Sequence, residues 1–363
     1  MAEGPQARIS RPDLVRLQAG NRLAKLPLAP WLDRVAPRWA MAGGCAVAGL
    51  GVLGLALLAH PVALAAVLLI CALGTSTNAL AVKQMAAGLA DAGEHRLLLF
   101  GRIASAGNLA AAVSAPCAAW LLIRAGPIYW AALIGCACAS AAGLTAWRGP
   151  VLAARAESSS AASTTLREIA RRPGMRAFLA INACCWFLYY QLFSVVPLAL
   201  SLHPGAGVLM GPLLTVNTVI VALLQLRVTR GAARLGDEFK QIAAACLLFG
   251  LGFLPLACWS GLAALLVFVG LVSAAEMLLV PAIDSAFVGL LGTAPRAGGF
   301  ALLSVSTAVG ESVGAFVGMH LYETLESLVA GTYWVVLAST AIGFAAAASR
   351  ATNTSTGAGR AMK

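Results

Sequence analysis

Charge is scarce in this sequence: charged residues are 11% of 363, whereas an ordinary soluble domain carries about 25%. So little charge cannot cover the surface of a water-soluble fold, and hydrophobic residues at 60% with a mean hydropathy of +0.85 point to lipid. The chain reads as an integral membrane protein. Alternating polarity, the signature of membrane β-strands, is missing too. Continuous apolar runs of about 20 residues, long enough to cross a bilayer as helices, follow one another almost end to end. That excludes a barrel and leaves no room for a separate soluble domain.

Other absences narrow the chemistry. There is no G-x-x-x-x-G-K-[ST], no H-E-x-x-H, no G-x-S-x-G and no paired Cys/His cluster. ATP-driven transport and membrane hydrolysis lose support, so neither enzymatic turnover nor a metal or cofactor is expected. The nine cysteines (Cys45, Cys71, Cys117, Cys136, Cys138, Cys184, Cys185, Cys246 and Cys258) lie in or at the ends of apolar runs, without ligand spacing. They read as small packing residues. No charged-then-apolar leader opens the chain, so no cleaved signal peptide is expected. The formal charge of +11 is dispersed over short loops, which argues for membrane topology and against a nucleic-acid surface.

Clean spans are expected at roughly 40–59, 62–87, 103–123, 128–147, 175–201, 207–228, 241–258, 262–283, 299–321 and 329–348. The segment before residue 38 is helix-like but carries Arg16, Arg22 and Lys25 where a span should be apolar. A polar stretch containing ESSSAASTT and LREIARRPG divides the chain. The expected organisation is an N-terminal bundle over 1–149, a cytoplasmic linker over 150–174, a six-helix bundle over 175–350 and a flexible tail over 351–363. Arg34, Arg96, Arg172, Arg234, Lys240, Arg296 and Arg350 mark one set of loops, while His60, His203, Glu323 and Glu326 mark the other. Basic loops face the cytoplasm, which puts the C-terminus there. Trp39, Trp130, Trp147, Trp259 and Trp334 fall near span ends, as an aromatic belt would have them.

Residues 261–321 repeat 61–121 at an offset of 200 positions. Arg296 pairs with Arg96, Phe300 with Phe100, Ala315 with Ala115, and Gly310, Gly314 and Gly318 with Ala110, Ser114 and Ala118. Several matches under one offset indicate a duplicated unit. The copies differ where the later one carries Glu276, Asp284 and Glu311 against Ser76, Gln84 and Ala111.

A charge at the centre of a span costs about 2.5–3.5 kcal/mol on insertion scales, so each buried acid needs a reason. Glu311 lies midway along its span with Ser304 and Thr307 on the same face. It suits either a carboxyl that takes and releases a proton or a protonated glutamic acid tying two helices. Glu276 is the second proton-coupling candidate, with Pro281 after it able to kink the helix. Lys83 and Asp284, near span ends, suit solvation or gate pairing. Asn108, Asn182, Trp186, Tyr189, Tyr190, Gln191 and Asn217 are candidates for lining a cavity for an amphipathic substrate. Each amide also suits a plain interhelical hydrogen bond. Asp33, Arg34, Arg38, Arg96, Arg234 and Arg296 fall at repeat-related loop positions and form the candidate cytoplasmic gate.

LDRVAPRW at 32–39 is similar to the loop signature of the major facilitator superfamily: Asp33, Arg34 and Arg38 match, with Ala29 and Ala36 where glycines are usual. GNLAAAVSAPCAAW at 107–120 resembles the fifth-helix signature of that family's drug:proton antiporters; Pro116 matches, with Ala111, Ala115 and Ala119 in glycine places. The resemblance implies an all-α fold of two pseudo-symmetric bundles with the substrate between them. It also implies alternating access, proton-coupled efflux at the plasma membrane and a monomer. An importer, or a non-transporting copy of the fold, is the alternative. The repeat carries 207–228 back to 7–28, which leaves 175–201 without a counterpart. About eleven spans are therefore expected, with the first of the usual twelve missing, through either a start upstream of Met1 or a shortened copy.

A reporter active only in the cytoplasm should work when fused after Arg172, Lys240 or Lys363 and fail after His203 or Glu326; activity at Glu326 would reverse the orientation.

Overall fold

A computed structural model of the chain describes residues 25–361 apart from 59, 92–94, 150–165, 204, 235, 259–260 and 293, and no strand occurs among them. Arg16, Arg22 and the Ser/Ala tract of the linker lie outside the described residues. The first half comprises α1 (Lys25–Leu32), α2 (Pro37–Leu57), α3 (Pro61–Asp91), α4 (Arg96–Ala125) and α5 (Pro127–Arg148). A short linker helix, α6 (Leu166–Arg171), follows. The second half comprises α7 (Met175–Tyr190), α8 (Val195–Ser201), α9 (Met210–Ala233), α10 (Glu238–Cys258), α11 (Leu262–Leu291), α12 (Arg296–Leu328) and α13 (Thr332–Ala361). Ten stretches of helix, α7 and α8 counting as one, are long and apolar enough to span a membrane.

The sequence repeat is realised as a repeat of contacts. In the first half α2 packs on α3 and α5; in the second α10 packs on α11 and α13. Across the halves, α4 packs on α9 and α11, while its repeat partner α12 packs on α1 and α3. Equivalent helices thus make equivalent contacts in both directions, the arrangement of a two-fold pseudo-axis between bundles.

Small residues make these contacts possible, because lipid gives apolar helices no hydrophobic reason to associate and close backbone approach must supply the attraction. A Cβ at Gly44 of α2 would stand 2.7 Å from the Asn78 backbone of α3, and one at Gly49 would stand 2.8 Å from Cys138 of α5. Cys71 and Cys138 serve as small packing groups, Cys71 Sγ lying 2.5 Å from the Cβ position of Gly51, whereas Cys117, Cys136 and Cys258 are exposed. On α12, Gly310 lies directly on the Ala183 carbonyl of α7, and Gly314 and Gly318 continue that contact to Phe187 and Gln191. The corresponding Ala110 and Ser114 of α4 are exposed.

Three expectations change. The span at 175–201 is two helices, α7 and α8, joined by turns over 191–194. Pro197, in the first turn of α8, has no N–H for the Phe193 carbonyl, a position where a helix start tolerates proline. Residues 351–361, expected as a flexible tail, continue α13 as helix. Trp334, expected at the membrane interface, is 5% exposed and packs on Phe253 and Tyr333 with ring centroids 6.1 and 5.1 Å away.

Pro281 does not interrupt α11, which runs unbroken from Leu262 to Leu291. Its missing N–H frees the Met277 carbonyl, and the buried Gln225 of α9 donates to that oxygen at 2.8 Å. The substitute bond also fixes α9 against α11. Gln225→Leu should therefore lower stability by about 1–3 kcal/mol, the cost of a buried acceptor left unpaired. The loss should shrink in a Pro281→Ala background, where the restored N–H takes Met277. Thermal unfolding of all four proteins in detergent measures it; equal losses in both backgrounds would refute the pairing.

Candidate functional site

Two polar assemblies join the halves, one at the end carrying the basic loops and one inside the spans. At the first, Asp33 in the turn after α1 accepts the backbone N–H groups of Ala297 and Gly298 at 2.8 and 3.1 Å. These belong to the first turn of α12, where the helix dipole is positive and N–H groups have no intrahelical partner. Gln84 Nε2 adds a third bond to Asp33 at 3.3 Å. Burial raises the Asp33 carboxyl above its ordinary value, and the N–H groups and amide pull it part of the way back. An acid raised in the fold contributes stability at low pH that is lost as pH rises through its folded value. Acidification acts oppositely on this contact, because protonation removes the charge that α12 binds.

Beside it, Lys83 of α3 pairs with Asp284 of α11 at 2.7 Å, and its Nζ lies 5.6 Å from the centre of the Phe300 ring. Phe300 meets Phe100 with ring centroids 6.3 Å apart. These are repeat-equivalent residues of α12 and α4, so their contact marks the pseudo-axis. The Arg96 guanidinium lies 3.0 Å from where a Cβ on Gly289 of α11 would stand. Of the candidate gate residues, Asp33, Arg96 and Arg296 stand at this seam. Arg34 and Arg234 are exposed, and Arg38 stacks on Trp39 at 4.9 Å.

The second assembly centres on Glu276 of α11, 7% exposed. Asn217 of α9 donates to its Oε2 at 3.1 Å and to Ser273 Oγ at 2.9 Å. Tyr189 of α7 and Asn108 of α4 are also within hydrogen-bonding reach of the carboxyl. Helices from both halves thus converge on one acid. Glu311, likewise 7% exposed, lies on α12 within electrostatic range of the same Tyr189 hydroxyl. Trp186, Tyr189, Phe193 and Tyr190 form a chain of ring contacts along α7 with centroids 5.4–5.9 Å apart.

The remaining amide candidates serve other contacts. Gln191 is fully buried; it donates to the Phe187 carbonyl at 2.7 Å and accepts the Tyr333 hydroxyl at 2.7 Å, which ties α7 to α13 and corrects its expected place in a cavity wall. Asn182 donates to Ser306 and Thr307 of α12 at 2.9 and 3.2 Å. Lys25, awkward in the sequence, reaches Ser304 of α12 at 3.2 Å. Sequence reasoning groups Tyr189 with Trp186 and Tyr190 as a candidate cavity lining but leaves Ser273 out of the site. Asn182, Trp186 and Tyr189 share a helix face.

Two bundles closed on each other at one end, around a membrane-embedded polar centre, define a multi-pass membrane transporter. The chain belongs to the Major Facilitator Superfamily, whose sequence profile matches residues 18–245. No curated protein sequence matches it significantly. The human organic anion transporter MFSD10 (TETRAN) is structurally similar at TM-score 0.68 and 17% identity, over 92% of this chain and 83% of that one. A mutant peptide transporter POT in complex with sulfate gives 0.64 and 14%, over 94% and 86%. A POT family transporter in complex with 5-aminolevulinic acid gives 0.62 and 14%, over 92% and 85%. At such identities the likeness establishes the fold alone.

Removing one partner of the Lys83–Asp284 pair leaves the other charge uncompensated. Lys83→Met should cost about 1–3 kcal/mol, less than for a fully buried pair because the Lys83 side chain is 36% exposed. Adding Asp284→Leu should recover part of that loss in thermal unfolding; additive losses would show that the pair is not coupled.

Proposed function

We propose that this transporter exports small amphipathic molecules in exchange for protons, acting as a monomer in the plasma membrane with its C-terminus in the cytoplasm. The observation that carries the reading is the position of Glu276: a carboxyl buried within the membrane, held by Asn217 of the second half and within reach of Asn108 of the first. A carboxylate there holds α9 and α11 together through charge-assisted bonds, which are stronger than neutral ones. Protonation weakens its bonds, including the one to Asn108 of the first half, so proton occupancy and the fit between halves are linked. Glu311, within electrostatic range of the same Tyr189, is the second proton-coupling group. The aromatic run from Trp186 to Phe193 supplies flat apolar faces for the substrate, with Asn108 and Asn217 as its polar partners.

Alternation then needs the basic-loop end to open and close. Asp33 on α12, Lys83 on Asp284 and Phe100 on Phe300 are the contacts that must part. Each is local and of modest strength, which suits a seam broken in every cycle. The basic residues of these loops support a cytoplasmic placement for it.

The test is accumulation of a panel of lipophilic fluorescent dyes in cells expressing the chain against a vector control, with and without a pH gradient. Gradient-dependent loss of dye should appear with the wild type and be abolished by Glu276→Gln, which keeps shape and hydrogen bonding but cannot titrate. Glu311→Gln should impair it as well. Wild-type coupling in both variants would make the two acids packing groups and end the proton-coupled reading.

A further inference from the structure

We infer that a second ligand site, for a small zwitterion carrying an anionic group and a primary ammonium, lies at the basic-loop end between the halves. A cavity of about 370 Å³ opens there, within the size range of small-molecule sites. The start of α4 forms one wall through His95 and Arg96, and the second half forms the other through Gly236, Glu238, Gln241 and Ser285.

The two walls carry opposite chemistry. On the first, Arg96 brings a permanent positive charge, and the N-terminus of α4 has no side-chain cap, so its leading N–H groups add to the positive potential. On the second, Ser285 donates to Glu238 Oε1 at 2.9 Å. Gln241, 1% exposed, spends its Nε2 on the Ala232 carbonyl at 3.1 Å while its Oε1 has no partner. That oxygen is enclosed, so Gln241 shapes the wall without offering a ligand an acceptor. Arg96 and Glu238 line one cavity, yet no ion pair joins them among the described residues.

A ligand whose anionic group meets Arg96 and whose ammonium reaches Glu238 satisfies both walls at once. Bound there, it ties α4 of the first half to α10 and α11 of the second and holds that end of the seam shut. The site is separate from the Glu276 centre and does not depend on which substrate is transported. A free aminophosphate and the headgroup of phosphatidylethanolamine share the required chemistry.

The experiment follows thermal unfolding of the purified full chain in detergent with saturating O-phosphoethanolamine. The midpoint should rise by a few degrees. Phosphocholine, whose quaternary nitrogen has no N–H to donate, should produce less than half that shift. Arg96→Met and Glu238→Gln should each remove most of it, and Glu238→Gln serves alone if Arg96→Met fails to fold, since it removes the charge and keeps the shape. No shift with phosphoethanolamine, an equal shift with phosphocholine, or an undiminished shift in Glu238→Gln would each overturn the site. Nanodiscs separate the sources: a shift present in phosphatidylcholine discs and lost when phosphatidylethanolamine is included identifies the lipid headgroup, and one that persists in both identifies the free aminophosphate.

Discussion

Hydrocarbon supplies no hydrogen-bond partner for a polar group and no hydrophobic force between apolar helices, and most of this structure answers to those two facts. Helices satisfy their own backbones. Where Pro281 breaks that rule, Gln225 of a neighbouring helix supplies the missing donor. Where helices must touch, glycine, alanine and cysteine let the backbones approach, as Gly44 does against α3 and Gly310 against α7.

The same constraint separates polar groups that hold the fold from those available for function. Gln191 and Gln225 are fully buried and spent on carbonyls or hydroxyls of adjacent helices. Glu276 is different in kind, because an acid can change its charge while an amide cannot. Asn217 and Tyr189 share its half, while Asn108 belongs to the half that must separate and rejoin if the two rock. Asp33 repeats this logic at the loop end, where the free N–H groups of α12 meet a carboxyl from the opposite half.

Pseudo-symmetry places these features. Phe100 and Phe300 touch because equivalent positions on a two-fold axis meet each other. The acids break the symmetry: Glu276 and Asp284 stand on α11 where α3 has Ser76 and Gln84. The buried acids are concentrated in the second half, with the first contributing Lys83, Asn108 and Asp33 to the contacts around them.

Membrane insertion, the ten clean spans, the repeat and the family were legible in the sequence, since each depends on composition or on residues at fixed spacing. Apolar length alone separates a span from a loop, and an offset of 200 residues needs no coordinates. The identity of the candidate acids was legible too, because a charge in an apolar run stands out. What those side chains touch was decided only by tertiary structure. Nothing in the spacing of Asp33 and Ala297, 264 positions apart, shows that one caps the other. Gln191 and Asn217 look alike as amides within spans, yet one ties helices together and the other holds Glu276. A side chain's role follows from the partner presented to it across a helix contact, and that depends on the rotation and crossing of whole helices, which local residue order does not encode.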